Sequence, residues 1–142
     1  MDTSLIERLL QAMHDSRVDF TFFFRQLGQV RQEQTDQTIA LRDHFLDREL
    51  IDQWFSDYIN RLKSENSSDE ERQRAMNLVN PKYVLRNHLA QVAIDKSKQH
   101  DFAEVQTLLK ILANPYDDQL EYDAYAMPPP PDLERVEVSC SS

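Results

Sequence analysis

Glycine is almost absent from this chain, because Gly28 is the only glycine among 142 residues. Tight β-hairpins use glycine to reach positive φ angles, and phosphate-binding loops use it where a side chain would block the ligand. A single glycine therefore argues against a hairpin-rich sheet protein and against a glycine-loop nucleotide site. The sequence favours an all-α fold, in which we expect about six or seven helices.

Apolar residues recur at helical spacing in the first half of the chain. Asp19 is a suitable cap for a helix that carries Phe20, Phe23 and Phe24, and Ser68 with Glu71 forms a capping box. The clearest stripe follows Asp47 and consists of Leu50, Ile51, Trp54, Phe55, Tyr58, Ile59 and Leu62. Aromatic residues at this spacing could line a ligand pocket, but they are much more often core residues, and we predict a core.

Two further helices are predicted in the second half. Asn80 is expected to cap a helix with Pro81 in its first position, where the missing N–H has no cost. The residues expected to face inward from it are Val84, Leu85, Leu89, Val92 and Ala93. Asp101 opens a last helix that ends at Asn114–Pro115, and its apolar residues are Phe102, Val105, Leu108, Leu109 and Leu112. A short connection predicts that these two helices form an antiparallel pair.

The composition changes near residue 114. Residues 114–142 contain seven acidic residues and one basic residue, and they hold five of the six prolines, with the run Pro128 to Pro131 among them. Consecutive prolines favour an extended polyproline conformation. We therefore predict a helical body over residues 1–113 and an extended, acidic, proline-rich C-terminal tail over residues 114–142.

Charge and hydropathy exclude several function classes. The net charge of −9 opposes binding to nucleic acid and to anionic membranes. No apolar run approaches the roughly 18 residues of a membrane span, and the start MDTSLIERLL lacks the features of a signal peptide. We expect a soluble, cytoplasmic chain without nucleic-acid or membrane partners.

Catalytic and metal-binding patterns are not found in the sequence. None of the four histidines lies three to five residues from another, as two ligands on one helix face would (His14, His44, His88 and His100). The acidic group Asp117, Asp118, Glu121 and Asp123 lacks the glycine turn and ligand spacing of a calcium loop. We interpret it as a solvated acidic segment and predict no catalytic, cofactor-binding or metal-binding residue.

Two residues leave alternatives open. Arg86 lies in an apolar helical neighbourhood, where an ion pair with a carboxylate is more common than a role in ligand binding. Cys140, the only cysteine, is the third residue from the C-terminal end of the sequence, where composition alone indicates an incidental exposed thiol.

Four segments in order resemble the C-terminal end of the selenoprotein O family. They are NPKYVLRNHLAQVAI (Asn80 to Ile94), DFAEVQTLLKILANPYDD (Asp101 to Asp118), the proline run, and RVEVSCSS (Arg135 to Ser142). The earlier segments FFRQL, LRDHFLDRE and DQWFSDYINRL resemble the region just upstream in the same family. The resemblance thus extends over essentially the whole chain.

The resemblance implies a protein adenylyltransferase with a kinase-like fold, which transfers AMP from ATP to Ser, Thr or Tyr of protein substrates with magnesium. The ATP and metal residues of the family lie N-terminal to everything seen here, so the chain is expected to be an inactive C-terminal domain whose Met1 is an internal or added start. Its expected partner is the kinase-like part of the same protein. A free-standing helical interaction module is the alternative.

The family's C-terminal cysteine or selenocysteine matches Cys140, and the resemblance implies redox control through a disulfide with a cysteine of the kinase-like part. This chain has no second cysteine, so that partner would lie outside it. With the resemblance taken into account, the redox role of Cys140 is favoured over the incidental thiol.

Overall fold

A computed structural model of the chain describes residues 3–35, 38–66 and 68–129. These residues form six α-helices and two 3₁₀ helices with no strand among them, which confirms the all-α prediction. The α-helices are α1 (Thr3–Ser16), α2 (Phe20–Leu27), α3 (Arg48–Glu65), α4 (Asp69–Val79), α5 (Asn87–Lys98) and α6 (Ala103–Leu112). The 3₁₀ helices are Ala40–His44 and Leu120–Ala126. No helix in the described ranges has the length and apolar character needed to cross a bilayer.

The chain divides into two compact units, unit 1 (Met1–Asn80) and unit 2 (Pro81–Ser142). In unit 1, α1 packs against α3, and the first 3₁₀ helix packs against both α2 and α3. Two of its helices begin where the sequence predicts, because the Asp19 carboxylate accepts a hydrogen bond from Phe22 N at 2.8 Å and that of Asp47 accepts one from Leu50 N at 3.1 Å.

The centre of unit 1 is the predicted α3 stripe. Trp54 is only 1% exposed, stacks on Tyr58 with ring centroids 5.0 Å apart, and donates a hydrogen bond from Nε1 to the Leu5 carbonyl at 2.8 Å. Phe23 packs edge-on against Phe45 in the same core. The prediction that the aromatic residues form a core is confirmed for these side chains, whereas Phe20 is exposed.

Helix α4 is attached to the rest of unit 1 at both ends by arginine side chains. At its C-terminal end, the buried Arg25 donates hydrogen bonds to the carbonyls of Asn77 and Asn80 at 3.1 and 3.0 Å. Carbonyls at a helix C-terminus lack intrahelical partners and carry partial negative charge, so a guanidinium stabilises them. At the other end, Arg72 donates to the Val30 carbonyl and to Asp69. Ser68 caps this helix as predicted.

In unit 2, α5 and α6 pack against each other across the short connection of residues 99–102, as predicted. The predicted start of the first of these helices is wrong, because residues 81–86 are not helical and α5 begins at Asn87. Leu85 and Val92, expected to face inward, are 57% and 43% exposed. The physical reason is that the backbone N–H groups of Lys82 and Tyr83 donate to the Pro115 carbonyl instead of continuing a helix.

The first residues of the predicted tail belong to unit 2. The 3₁₀ helix Leu120–Ala126 places Ala126 in a small buried cluster with Tyr83 and Ile111. Residues 130–142 lie outside the described part of the chain, and with them Cys140 and the last two prolines of the run. The domain boundary at residue 113 stays a prediction.

Candidate functional site

Two segments that are distant in sequence meet in unit 2. We call the group Lys82, Tyr83, Pro115, Asp118 and Gln119 the clasp. Its backbone part is the Pro115 carbonyl, which accepts hydrogen bonds from Lys82 N at 2.8 Å and from Tyr83 N at 3.3 Å. Pro115 follows the end of α6 and has no N–H to donate, and its carbonyl faces the segment before α5. The clasp therefore joins the beginning of unit 2 to the residues that follow α6.

Tyr83 is the buried centre of the clasp. Its hydroxyl lies 2.7 Å from the Asp118 carbonyl and 2.9 Å from the Gln119 carbonyl, and its ring is 1% exposed. Burial raises the pKa of the Tyr83 phenol, and the carboxylates of Asp123 and Asp118 raise it further against the opposing effect of Lys82. The phenol is therefore a fixed hydrogen-bond donor at neutral pH and not a general base.

Lys82 contributes a charged hydrogen-bond donor to the clasp. Nζ donates to the Asp118 carbonyl at 2.6 Å and to the Asp123 carboxylate at 2.5 Å. Burial favours the neutral amine, but the hydrogen bond to Asp123 and the nearby negative charge outweigh it, so the pKa of Lys82 is raised. A charged lysine held by two acceptors is a structural cation, because a lysine nucleophile requires a lowered pKa.

Gln119, a residue of the clasp, has an uncommon backbone conformation. Its φ angle is 38°, in the left-handed region that side chains other than glycine rarely adopt. The side chain compensates for this, because Nε2 donates to the carbonyls of Ile111 and Asn114 at 3.1 and 2.9 Å. The Ile111 carbonyl lies in the last turn of α6 and the Asn114 carbonyl follows that turn, so Gln119 acts as a side-chain cap. The clasp thus consists of satisfied donors and acceptors and presents no nucleophile.

The histidines and acidic residues weighed in the sequence are dispersed in the structure. His14, His44 and His100 are exposed, and His88 is half-buried. Across residues 3–35, 38–66 and 68–129, no three His, Cys, Asp or Glu side chains converge on a position suited to a metal ion. Asp117 and Glu121 are exposed to solvent, whereas Asp123 is engaged by Lys82.

Arg86 and Cys140 are the two residues for which the sequence left alternatives open. Arg86 is buried and is the N-cap residue of α5, and its ion pair with a carboxylate stays a prediction. Cys140 lies outside the described residues, so its redox role also stays a prediction. Sequence reasoning missed the buried Arg25 and the pairing of Lys82 with Tyr83. An arginine within the apolar run FTFFFRQL was a signal that could have identified Arg25.

Comparisons with known proteins agree on one family. The family model described as "Protein adenylyltransferase SelO" matches residues 1–113. A protein nucleotidyltransferase YdiU from Herminiimonas arsenicoxydans is 50% identical over 141 residues, which is 99% of this chain and 28% of the relative. Proteins of the same name from Burkholderia lata and Burkholderia multivorans are each 48% identical over 141 residues, with 27% of the relative covered. The chain therefore spans little more than a quarter of the length of these relatives.

Proposed function

The chain belongs to the SelO family of protein adenylyltransferases, and we propose that it is the C-terminal helical part of such an enzyme, with a structural and regulatory role. In this proposal the whole protein transfers AMP from ATP to Ser, Thr or Tyr hydroxyls of protein substrates in the cytoplasm. The reacting groups belong to the larger part of the polypeptide, since this chain corresponds to 27% of the length of its Burkholderia relatives.

The clasp is the observation that carries this proposal. Lys82 and Tyr83 lie in the first segment that resembles the family's C-terminal end, and Pro115 and Asp118 lie in the second. Each of these residues takes part in a hydrogen bond within unit 2. The raised pKa values of the Tyr83 phenol and the Lys82 amine keep both groups protonated at neutral pH, so neither is a ready base or nucleophile, and their hydrogen bonds support a structural role. The resemblance is therefore accounted for by folding of unit 2.

ATP and magnesium would be bound by the rest of the polypeptide. Nucleotidyl transfer needs phosphate-binding cations and carboxylates that hold a metal ion. Two observations support this assignment: among the described residues no cluster of His, Cys, Asp and Glu is suited to a metal ion, and the partly buried Lys82 is engaged by Asp118 and Asp123.

A calorimetric titration tests this division of roles. The chain titrated with ATP and magnesium is expected to give only the heat of dilution, and the Herminiimonas relative titrated under the same conditions is the positive control. Micromolar affinity of the chain itself would overturn the assignment of the nucleotide site to the rest of the protein.

We also propose that Cys140 forms a regulatory disulfide with a cysteine of the kinase-like part. Two thiols would lose two protons and two electrons to an added oxidant such as diamide, and one S–S bond would form. Peptide mapping of an oxidised full-length protein that contains this chain is expected to find Cys140 cross-linked, and reduction with dithiothreitol should release it. If Cys140 is found only as a free thiol after oxidation, the redox role is refuted.

A free-standing helical interaction module is the second candidate, and exposed apolar side chains such as Leu78 and Val79 on α4 favour it. The coding sequence upstream of this chain distinguishes the two. A kinase-like region joined in frame supports the enzyme part, and its absence would leave the interaction module.

A further inference from the structure

Helix α6 carries two apolar stripes on neighbouring faces. One stripe faces the interior of unit 2 through the buried residues Leu108 and Ile111. The other, which we call the outer stripe, consists of Val105 and Leu109 on the helix and Phe102, the residue just before it. Its steps of three and four residues place these side chains along one side of the helix, as at the a and d positions of a coiled coil, whereas Leu112 packs against the buried cluster of unit 2.

The outer stripe is largely open to solvent. Phe102 is 51% exposed and Leu109 is 66% exposed, while Val105 between them is half-buried. A single exposed leucine is ordinary on a protein surface, but a continuous stripe at packing spacing indicates a contact surface. The described part of unit 2 does not bury Phe102 or Leu109.

The charged residues beside the outer stripe already have partners in unit 2. Glu104 accepts a hydrogen bond from the Tyr125 hydroxyl at 3.2 Å and lies 3.7 Å from Lys96 Nζ. Lys110 Nζ lies 3.3 Å from the Tyr122 hydroxyl. The charged groups beside the outer stripe are thus bound to other groups of unit 2 and are not available to a partner. An apolar helix face is therefore the surface that fits the stripe.

The size of the stripe favours a partner in the same polypeptide over a second copy of the chain. A stable interface between separate proteins buries about 1,200 Å² or more in total, which three side chains on and beside a short helix do not supply. A covalently linked partner needs much less area, because linkage gives an effective concentration of about millimolar order. The Herminiimonas relative has 72% of its length outside the part that matches this chain.

We propose that the outer stripe of α6 docks against an apolar helix in the remainder of the SelO polypeptide. This inference rests on the proposed function and specifies the surface through which the C-terminal part would be held. It also gives a role to the large apolar side chains of Phe102 and Leu109, which contribute little to the core of unit 2.

The test uses two proteins, the 142-residue chain and a chimera in which this chain replaces the matching 141 residues of the Herminiimonas relative. The variant Phe102→Gln/Leu109→Gln removes the apolar surface of the stripe. The control Leu120→Gln/Met127→Gln changes two exposed apolar residues of unit 2 outside α6. In the chimera, the stripe variant is expected to lower the Tm by several degrees and to speed amide exchange in α6 about tenfold or more. In the chain alone, both variants should leave these quantities unchanged.

The outcomes separate this inference from the proposed function. An active, stable chimera that is indifferent to the stripe variant refutes docking through α6 but keeps the proposed function. A chimera that folds but lacks adenylyltransferase activity, beside an active parent relative, counts against the proposed function. Concentration-dependent dimerisation of the chain that the stripe variant abolishes would assign the stripe to a second copy. Protection of α6 that is lost when residues 130–142 are deleted would assign it to the chain's own C-terminal segment. Either result contradicts the proposal.

Discussion

Unit 1 and unit 2 are stabilised by different kinds of interaction. Among the described residues, unit 1 has a connected core of sixteen buried apolar side chains centred on Trp54 and Phe55. The corresponding cluster of unit 2 contains three, namely Tyr83, Ile111 and Ala126. Unit 2 instead relies on the clasp, in which backbone and side-chain hydrogen bonds converge on residues 82–83 and 115–119.

The difference indicates what each unit needs in order to fold. A large buried apolar area supplies most of the free energy of folding in a small domain, while a hydrogen bond adds about 0.5–1.5 kcal/mol. Unit 1 has such a large buried apolar area by itself. Unit 2 has a small core and an exposed outer stripe on α6, so its stability is expected to depend on the clasp and on covering that stripe.

The largest effect is expected in the core of unit 1. Trp54→Ala removes a fully buried indole and its hydrogen bond to the Leu5 carbonyl, and should lower the free energy of unfolding by about 3–5 kcal/mol in urea denaturation. Leu50→Ala on the same helix, where the side chain is exposed, is the control and should cost far less. A loss under about 1 kcal/mol for Trp54→Ala would contradict a self-sufficient core in unit 1.

The same core should make unit 1 sensitive to alkali. Burial raises the pKa of Tyr58 to about 12, whereas the ordinary value is 10.0. The folded state therefore keeps the phenol protonated while the unfolded chain loses the proton, so stability is fully present below pH 10 and declines toward pH 12. Across this interval the unmodified chain should lose about 2–3 kcal/mol more than Tyr58→Phe, which cannot ionise.

Urea unfolding at several pH values measures this difference. Between pH 7 and 9 the gap between the two proteins should stay constant, which serves as the internal control. A gap that also stays constant from pH 10 to 12 would show that Tyr58 ionises as readily in the folded chain as in the unfolded one.

A smaller effect is expected from the clasp. Tyr83→Phe keeps the buried ring but removes the hydroxyl that bonds to the Asp118 and Gln119 carbonyls, and should destabilise unit 2 by about 1–1.5 kcal/mol, because these carbonyls keep Lys82 Nζ and Tyr122 N as donors. Hydrogen exchange read at the amides of α5 and α6 reports on this unit directly. Tyr122→Phe, which loses only a contact with the exposed Lys110, is the matched control. Equal exchange in both variants would exclude the clasp as a source of stability.

The smallest effects are expected from glycine substitutions at two positions with positive φ angles, one in each unit. Arg17 has a φ angle of 54° after α1, where Val18 N donates to the Met13 carbonyl in the pattern that glycine usually closes. Arg17→Gly should therefore stabilise unit 1 by about 0.5–1 kcal/mol. Gln119→Gly relieves a similar φ angle but removes the side-chain cap of α6, and should destabilise unit 2 by about 1 kcal/mol.

Hydrogen exchange of the amides in each unit measures both changes in one experiment. If Gln119→Gly stabilises unit 2 as Arg17→Gly stabilises unit 1, the side-chain cap is unimportant and the contrast between the units is weakened.

The helices of unit 1 were predictable because local signals and burial agree there. The stripe from Leu50 to Leu62 has a single apolar face, and the caps at Asp19, Asp47 and Ser68 act within three residues of themselves. The start of α5 was not predictable in the same way. Asn80–Pro81 has the local signature of a helix start, but hydrogen bonds to Pro115, more than thirty residues away, keep Lys82 and Tyr83 out of a helix.

The candidate site was only partly predictable for the same reason. The segments that contain Lys82, Tyr83, Pro115 and Asp118 were recognised by their resemblance to a family, but their contact with each other was not. Periodicity records which face of one helix is apolar, and it does not record which distant segment supplies an acceptor. Leu109 illustrates the limit, because its spacing suits a core while the fold leaves it exposed.

The sequence by itself determined the all-α class, the core stripe of α3 and membership of the SelO family, because each depends on residue identities at short spacing or in ordered segments. The tertiary structure alone decided where α5 begins, how Arg25 caps α4 and how the clasp holds the residues after α6. These features depend on hydrogen bonds between residues 32 to 55 positions apart, and such bonds exist only after folding has brought their donors and acceptors together.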